Sequence, residues 1–259
     1  PPTTRVPPVR GVTAAGGSIH HTTLVISPFH YGAVGDGTAD DTVALNAVFT
    51  AARAAVVSSQ HTHVKIDMSG GIYKITGSGI NGTGFQAWNL EICGGVLLGN
   101  TTGKAVLDMA GSRGYVMRNV MITGDATNMP TVGILCARTT TSFGYCDNCL
   151  FDNVNIIGHF SVATFFGYAQ ETTTHLHCRY WQYNYDASIV IWQRSNTYTL
   201  TSEFQTLVTG AHSFINCAYI TCDMRYGGST HRNTVTAISN AAEAVVAVSG
   251  TNIFQNGDE

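Results

Sequence analysis

A short pattern recurs along this chain, and such internal repeats constrain architecture more than any single motif. Asn119-Val120-Met121-Ile122-Thr123-Gly124-Asp125 aligns with Asn153-Val154-Asn155-Ile156-Ile157-Gly158-His159, with Cys217-Ala218-Tyr219-Ile220-Thr221-Cys222-Asp223 and with Asn252-Ile253-Phe254-Gln255-Asn256-Gly257-Asp258. Asn89-Leu90-Glu91-Ile92 begins an earlier copy, and Cys178 begins a weaker one. Successive copies start 25 to 39 residues apart, and the variation is assigned to loops. Met117, Phe151 and Ile215, two residues before each anchor, have one parity, whereas Val120/Ile122, Val154/Ile156 and Ala218/Ile220 have the other. A flat strand keeps one parity per face, so the chain must bend at the anchoring Asn or Cys. Units stacked at about 4.8 Å would bury a core that none could bury alone.

Upstream of the repeats, FHYGAVGDGTADDTVALNAVFTAAR spans residues 29–53. Gly35, Asp36 and Gly37 supply the positive φ angles and side-chain-to-backbone bonds of a turn. Asp40 or Asp41 caps a helix expected over about residues 40–57, where a carboxylate can accept first-turn N–H groups and meet the positive end of the dipole. Val43, Ala47, Val48, Ala51 and Ala55 mark its apolar face. Val64–Met68 and Gly71–Ile75 alternate like strands.

The segment Gly32-Ala33-Val34-Gly35-Asp36-Gly37-Thr38-Ala39-Asp40-Asp41-Thr42 closely resembles the opening signature of the pectate-lyase-like superfamily. That resemblance implies an all-β, right-handed parallel β-helix whose N-terminal capping α-helix plugs the open end of the solenoid. It implies architectural roles for Asp36, Asp40 and Asp41. The superfamily also stacks asparagines at a bend in successive turns, and Asn89, Asn119, Asn153 and Asn252 look like that ladder, interrupted by Cys178 and Cys217. A buried Asn left unpaired costs on the order of 1 kcal/mol or more, which favours ladder membership.

Residues 1–23 carry four of the six prolines and no apolar periodicity, so they read as an extended arm, with the β-helix domain over 24–259. Charged residues make up only 11% of the chain, which suits short strands and tight turns and argues against disorder. A net charge of −3 with no basic stripe gives no expectation of nucleic acid, and no apolar run approaches bilayer length, so no membrane insertion is expected. Seven cysteines, an odd number at irregular spacing, read as free thiols formed in a reducing cytoplasm. Cys146-Asp147-Asn148-Cys149 lacks a second CxxC or spaced histidines, so neither metal nor cofactor is expected. His175 and His177, placed on one face, read as surface or strand histidines.

Candidate chemistry is thinner. Asp125, His159 and Asp223, each six residues after an anchor, should share one edge with Asp258 and Asn184. Asp147, Asp152, Glu171, Asp186, Glu203 and Asp223 are weak candidates for paired catalytic carboxylates, since glycoside hydrolysis needs an acid and a base in different environments. The first five are expected in or beside long excursions. Trp181, Tyr183 and Trp192 suit carbohydrate, because a ring covers the apolar face of a sugar while amides and charges bond its hydroxyls. Arg179 could orient acidic sugars or pair with Asp186. Subunit contact is the competing use of such aromatics.

Polygalacturonase segments are missing apart from half a match at Gly158-His159-Phe160, so a standard pectinase is not expected. Within the superfamily the chain looks most like bacteriophage tailspike or tail-fibre modules. That resemblance implies a homotrimeric virion protein, made in the host cytoplasm, that attaches to bacterial surface polysaccharide and contacts other virion proteins through its arm. A secreted polysaccharide hydrolase or lyase and a non-catalytic virion scaffold are the alternatives.

Overall fold

The computed structural model describes residues 23–58, 63–85, 88–137, 146–168, 170–183, 188–192, 212–219, 222–225, 232–238 and 246–249. Its strands form three sheets, two of seven strands and one of eight, and each coil after the first gives one strand to each sheet. Val116–Arg118, Met121–Gly124 and Val132–Ala137 make one coil, and Cys146–Asp152, Asn155–Gly158 and Ala163–Tyr168 make the next. The following coil is Gln170–Leu176, Arg179–Gln182 and Ile189–Trp192. All six strand pairs between these coils are parallel. This is the expected right-handed parallel β-helix.

Side chains stack in columns along the inner wall. In the first sheet the register runs Ile66, Ile92, Met117, Phe151, His175, Phe214. Tyr73, Leu97, Ile122, Ile156 and Tyr180 form the second sheet's column, each with at most 0% exposure. Because neighbours sit about 4.8 Å apart, flat rings at one column position can lie face to face. His175 does so between Phe151 (5.0 Å) and Phe214 (4.4 Å).

The corner between first and second sheets is where the repeat anchors belong, and the structure corrects their alignment. Asn119, Asn153, His177 and Asn216 occupy it with φ of 51 to 54°, a left-handed conformation that Asn tolerates better than most residues. Cys178 and Cys217 are therefore not anchors. They fall one residue later, in the inward column with Val120 and Val154. The shift exchanges faces, as any one-residue slip does: Phe214 packs on the core, whereas Ile215 is 48% exposed. Asn89 precedes a first-sheet strand, and Gly94 takes the corner of its coil. The asparagine ladder is short and external, with Asn153 Nδ2 donating to Asn119 Oδ1 at 2.8 Å and both residues exposed. Asn252 lies outside the described residues.

The helix α1 covers Thr42–Ser58 and plugs the first coil. Asp41 accepts the first helical bond through its carbonyl, from Leu45 N–H. Its carboxylate turns back to the glycine turn and accepts Val34 N–H (2.6 Å) and Gly35 N–H (3.1 Å). Asp40 caps instead, accepting Thr42 N–H at 3.0 Å, and Asp36 accepts Thr38 and Ala39 N–H. Gly35, at φ 67°, leaves only 3.0 Å between a notional Cβ and the Phe29 ring, so a side chain there would be strained in its backbone and would have to push that ring aside. The buried face of α1 is Ala44, Leu45, Val48, Phe49, Ala52 and Val56. Of the expected face only Val48 is fully buried, and Val43 is 82% exposed. Leu45 and Phe49 carry more apolar surface than the alanines and fix the phase.

The third sheet ends differently from the repeat's expectation. After Cys222–Arg225 it continues into Arg232–Ile238 and Val246–Ser249, both antiparallel. Coil stacking in this sheet gives way to a meander, which the sequence alignment did not anticipate. Among the described residues no helix is long and apolar enough to cross a membrane.

Candidate functional site

The corner at His177 sets the phase of the strand Arg179–Gln182 in the second sheet. Cys178, Tyr180 and Gln182 turn inward and are buried, while Arg179, Trp181 and Tyr183 turn outward. Trp181 is 44% and Tyr183 52% exposed, high for aromatic side chains of their size. Side chains two residues apart on a strand stand about 6.6 Å apart, so the three span roughly 13 Å.

The preceding coil widens this strip into a face. Register puts Asn155 beside Arg179 and Ile157 beside Trp181. His159 meets Tyr183 edge-on, with ring centroids 5.2 Å apart at 75°. A Cβ on Gly124 would lie 2.1 Å from the His159 carbonyl oxygen, so glycine there lets the coils close up at this edge. One coil further back are Met121 and Thr123, in register with Asn155 and Ile157. Asp125 Oδ1 is taken by Thr127 N–H (2.8 Å) and Asn128 N–H (2.6 Å). It shapes a turn, and it shares an edge with His159 as expected.

The underside is locked. Tyr180 Oη is 2.7 Å from His175 Nδ1, and Gln182 Nε2 donates to the Phe160 carbonyl at 3.2 Å. A strand fixed on its inner side presents its outer side chains with little ordering left to do on binding. At the corner, Asn155 Nδ2 reaches Asn153 Oδ1 at 3.3 Å. Asp152 lies 3.5 Å from Arg118 Nε and 3.6 Å from His177 Nδ1.

The structure separates the other candidates. Asp147 and Asp152 lie in the strand Cys146–Asp152 and Glu171 in Gln170–Leu176, within the first sheet. Backbone register sets Asp147 opposite Glu171. Asp223 belongs to the third sheet, opposite Val190 and Thr234, not to the edge with Asp125 and His159. Tyr183 takes that edge position instead. Trp192 ends a third-sheet strand, opposite Tyr168 and Arg225, so its backbone is in a different sheet from Trp181. Asp186, Glu203, Asn184 and Asp258 lie outside the described residues. His175 and His177 do not share a face, since His175 is fully buried and His177 projects from the corner. Cys149 packs in the core and its thiol points to the Ser112 carbonyl.

Asn155 and Ile157 are the face residues that sequence reasoning passed over. Their signal was present, because they share the parity of Arg179, Trp181 and Tyr183 once the corner residues, not the cysteines, are aligned.

Chemically, the face combines an indole, a phenol, an imidazole, a guanidinium and an amide on one rigid sheet. Asp125, the carboxylate at its edge, accepts two backbone N–H bonds.

No protein family and no curated protein matches the chain. Solved structures do. An inferred glycosyl hydrolase from Parabacteroides merdae superposes with a TM-score of 0.51 at 12% identity, over 75% of this chain and 95% of that one. The A-module of a mannuronan C-5 epimerase from Azotobacter vinelandii gives 0.43 at 14% identity, over 64% and 55%. A surface adhesin of Streptococcus pneumoniae gives 0.26 at 13%, over 80% and 76%. At the first of these values the likeness establishes the fold, and the chain is a parallel β-helix protein.

Proposed function

We propose that this chain is a carbohydrate-binding β-helix of the tailspike or tail-fibre type, which attaches a virion to bacterial surface polysaccharide through the second-sheet face. The observation that carries the reading is the outward alternation of Arg179, Trp181 and Tyr183 beside Asn155 and His159. An exposed indole on a preorganised sheet, flanked by amide and cationic groups, is what sugar recognition asks for. The working form is a homotrimer, joined to other virion proteins through residues 1–23.

The test is retention of the chain on immobilised capsular and O-antigen polysaccharides, with its solution mass measured alongside. Binding that falls at least tenfold in Trp181→Ala, with folding intact, supports the reading. Binding unchanged in Trp181→Ala and Tyr183→Ala, or no retention on any glycan, overturns it. Cleavage is the second reading, favoured by one observation, the Asp147–Glu171 register pair. Release of reducing ends or unsaturated uronides, lost in Asp147→Asn, would establish it.

A further inference from the structure

Cys178 and Cys217 have no part in the glycan face, yet they are arranged as a unit. Register makes them direct neighbours on adjacent coils, with Ala218 N–H donating to the Cys178 carbonyl at 2.9 Å. Their thiols make the same bonds one coil apart. Cys178 Sγ donates to the Leu176 (3.2 Å) and Phe151 (3.5 Å) carbonyls, and Cys217 Sγ to the Ile215 (3.4 Å) and His175 (3.3 Å) carbonyls. Equivalent bonding means that the two side chains leave the backbone in the same direction. Cys178 is buried and Cys217 half-buried, so only the second meets solvent.

We propose that Cys217 and Cys178 form a thiol modification site in which Cys217 reacts with a small disulfide and Cys178 resolves the adduct into a disulfide between coils. Parallel neighbours are about 4.8 Å apart at Cα, inside the 4.4–6.8 Å that a disulfide spans. A relaxed disulfide holds its Cβ atoms about 3.5–4.5 Å apart, closer than that strand spacing. The bond is therefore formed with some closure of the corner and is readily reduced again.

The order of attack follows from the surroundings. Cys217 is pulled down to about 7, chiefly by its side-chain hydrogen bond with Cys178; burial opposes this, and backbone hydrogen bonds at Cys178 and Ile215 and the charge of His177 assist. Cys178 is pushed up, first by that same hydrogen bond and then by burial. A low, accessible thiol beside a resolving one is the arrangement that reacts reversibly. In the first step the Cys217 thiolate bonds to one sulfur of R–S–S–R and expels R–S⁻. In the second, Cys178 bonds to the Cys217 sulfur and expels the second R–S⁻, which takes the Cys178 proton as it leaves. Two protein S–H bonds are replaced by one S–S bond, and the reagent is reduced to two R–SH.

The experiment treats the reduced, folded chain with an aromatic disulfide whose released thiol is coloured. Two thiols released rapidly per chain are expected, with no adduct retained, a mass lower by two hydrogen atoms and a Cys178–Cys217 crosslinked peptide after digestion. Cys178→Ser should stop at one thiol released and a stable adduct on Cys217. Cys217→Ser should abolish the rapid phase, and that variant's far-ultraviolet dichroism controls for folding. A rapid phase that survives Cys217→Ser, or Cys178→Ser still releasing two thiols without an adduct, overturns the proposal. So does a wild-type chain whose Cys178 and Cys217 both stay reduced.

Discussion

The N-terminal plug and the outer side of the strand Arg179–Gln182 are both rich in polar groups, and they use them in opposite ways. In the plug, polar side chains bond the chain to itself: Asp36, Asp40 and Asp41 hold backbone N–H groups, Asn46 Nδ2 reaches the Gly79 carbonyl, and Arg53 Nε reaches the Thr83 carbonyl. On the outer face, Arg179 has no carboxylate partner among the described residues, and Trp181 stands in solvent. Self-bonded polar groups define architecture, whereas the outward side chains of this strand are the ones that the proposed glycan contact would use. The acidic cluster, the more conspicuous in the sequence, is thus the structural one.

The sharpest way to break this comparison is to alter adjacent inward and outward residues in each region. Tyr180→Ala and Phe49→Ala each empty a fully buried site and should destabilise by about 3–5 kcal/mol. Trp181→Ala and Val43→Ala, their outward counterparts, should change stability by about 0.5 kcal/mol or less. Urea denaturation measures all four. A large loss in Val43→Ala would restore the helix phase that its sequence suggested, and one in Trp181→Ala would make that ring a packing element.

Next in size is Asp41→Ala. Asp41 is 2% exposed and holds two backbone N–H groups that no other group replaces in the turn. Leaving them unsatisfied should cost about 2–3 kcal/mol. Glycan retention should not change, since the plug and the face do not meet; loss of both would mean that the cap tunes the whole solenoid.

Acid should act on the same region. Asp36 is held below its ordinary value by the Ala39 and Thr38 N–H groups. Burial pushes Asp40 up, but bonds from Thr42 and Thr76 and the charge of Lys74 outweigh it and hold Asp40 low. A depressed carboxylate contributes stability that is complete above its unfolded value, roughly 3.9, and disappears as pH falls through the folded value. Thermal midpoints should therefore be flat from neutrality to about pH 5 and drop below about pH 4. Asp40→Asn should flatten that drop; an unaltered profile would remove Asp40 from the account.

How much of this was legible follows from which residues advertise their geometry. The glycine turn, with Gly35 and Asp36, names its own conformation, so the plug and the fold class could be read directly. The helix face could not, because alanines at helical spacing fit several phases and only the bulk of Leu45 and Phe49 decides among them. Repeat alignment failed by one residue at Cys178 and Cys217, because identity drew them to the asparagines while the corner requires a left-handed backbone that His177 and Asn216 adopt. That slip hid Asn155 and Ile157 on the face, while His159 was found on its edge and only its pairing with Tyr183 was missed. Arg179, Trp181 and Tyr183 survived it, since their alternation is internal to one strand and does not depend on the neighbouring coil.

The smallest effect bears on that corner. Asn153 sits at φ 53° with its amide donating to Asn119. Asn153→Gly keeps the backbone conformation at no steric cost and loses only an exposed side-chain bond, so stability should fall by a few tenths of a kcal/mol. Asn153→Ala places a methyl group in the left-handed region and should lose about 1 kcal/mol more. If the amide ladder held the corner, the two variants would be equally destabilised; if backbone conformation holds it, glycine outperforms alanine. The same pair of substitutions at His177 carries the test to the edge of the proposed glycan face. There His177→Gly should preserve the outward phase of Arg179, Trp181 and Tyr183, and with it glycan retention, despite removing the contact with Asp152.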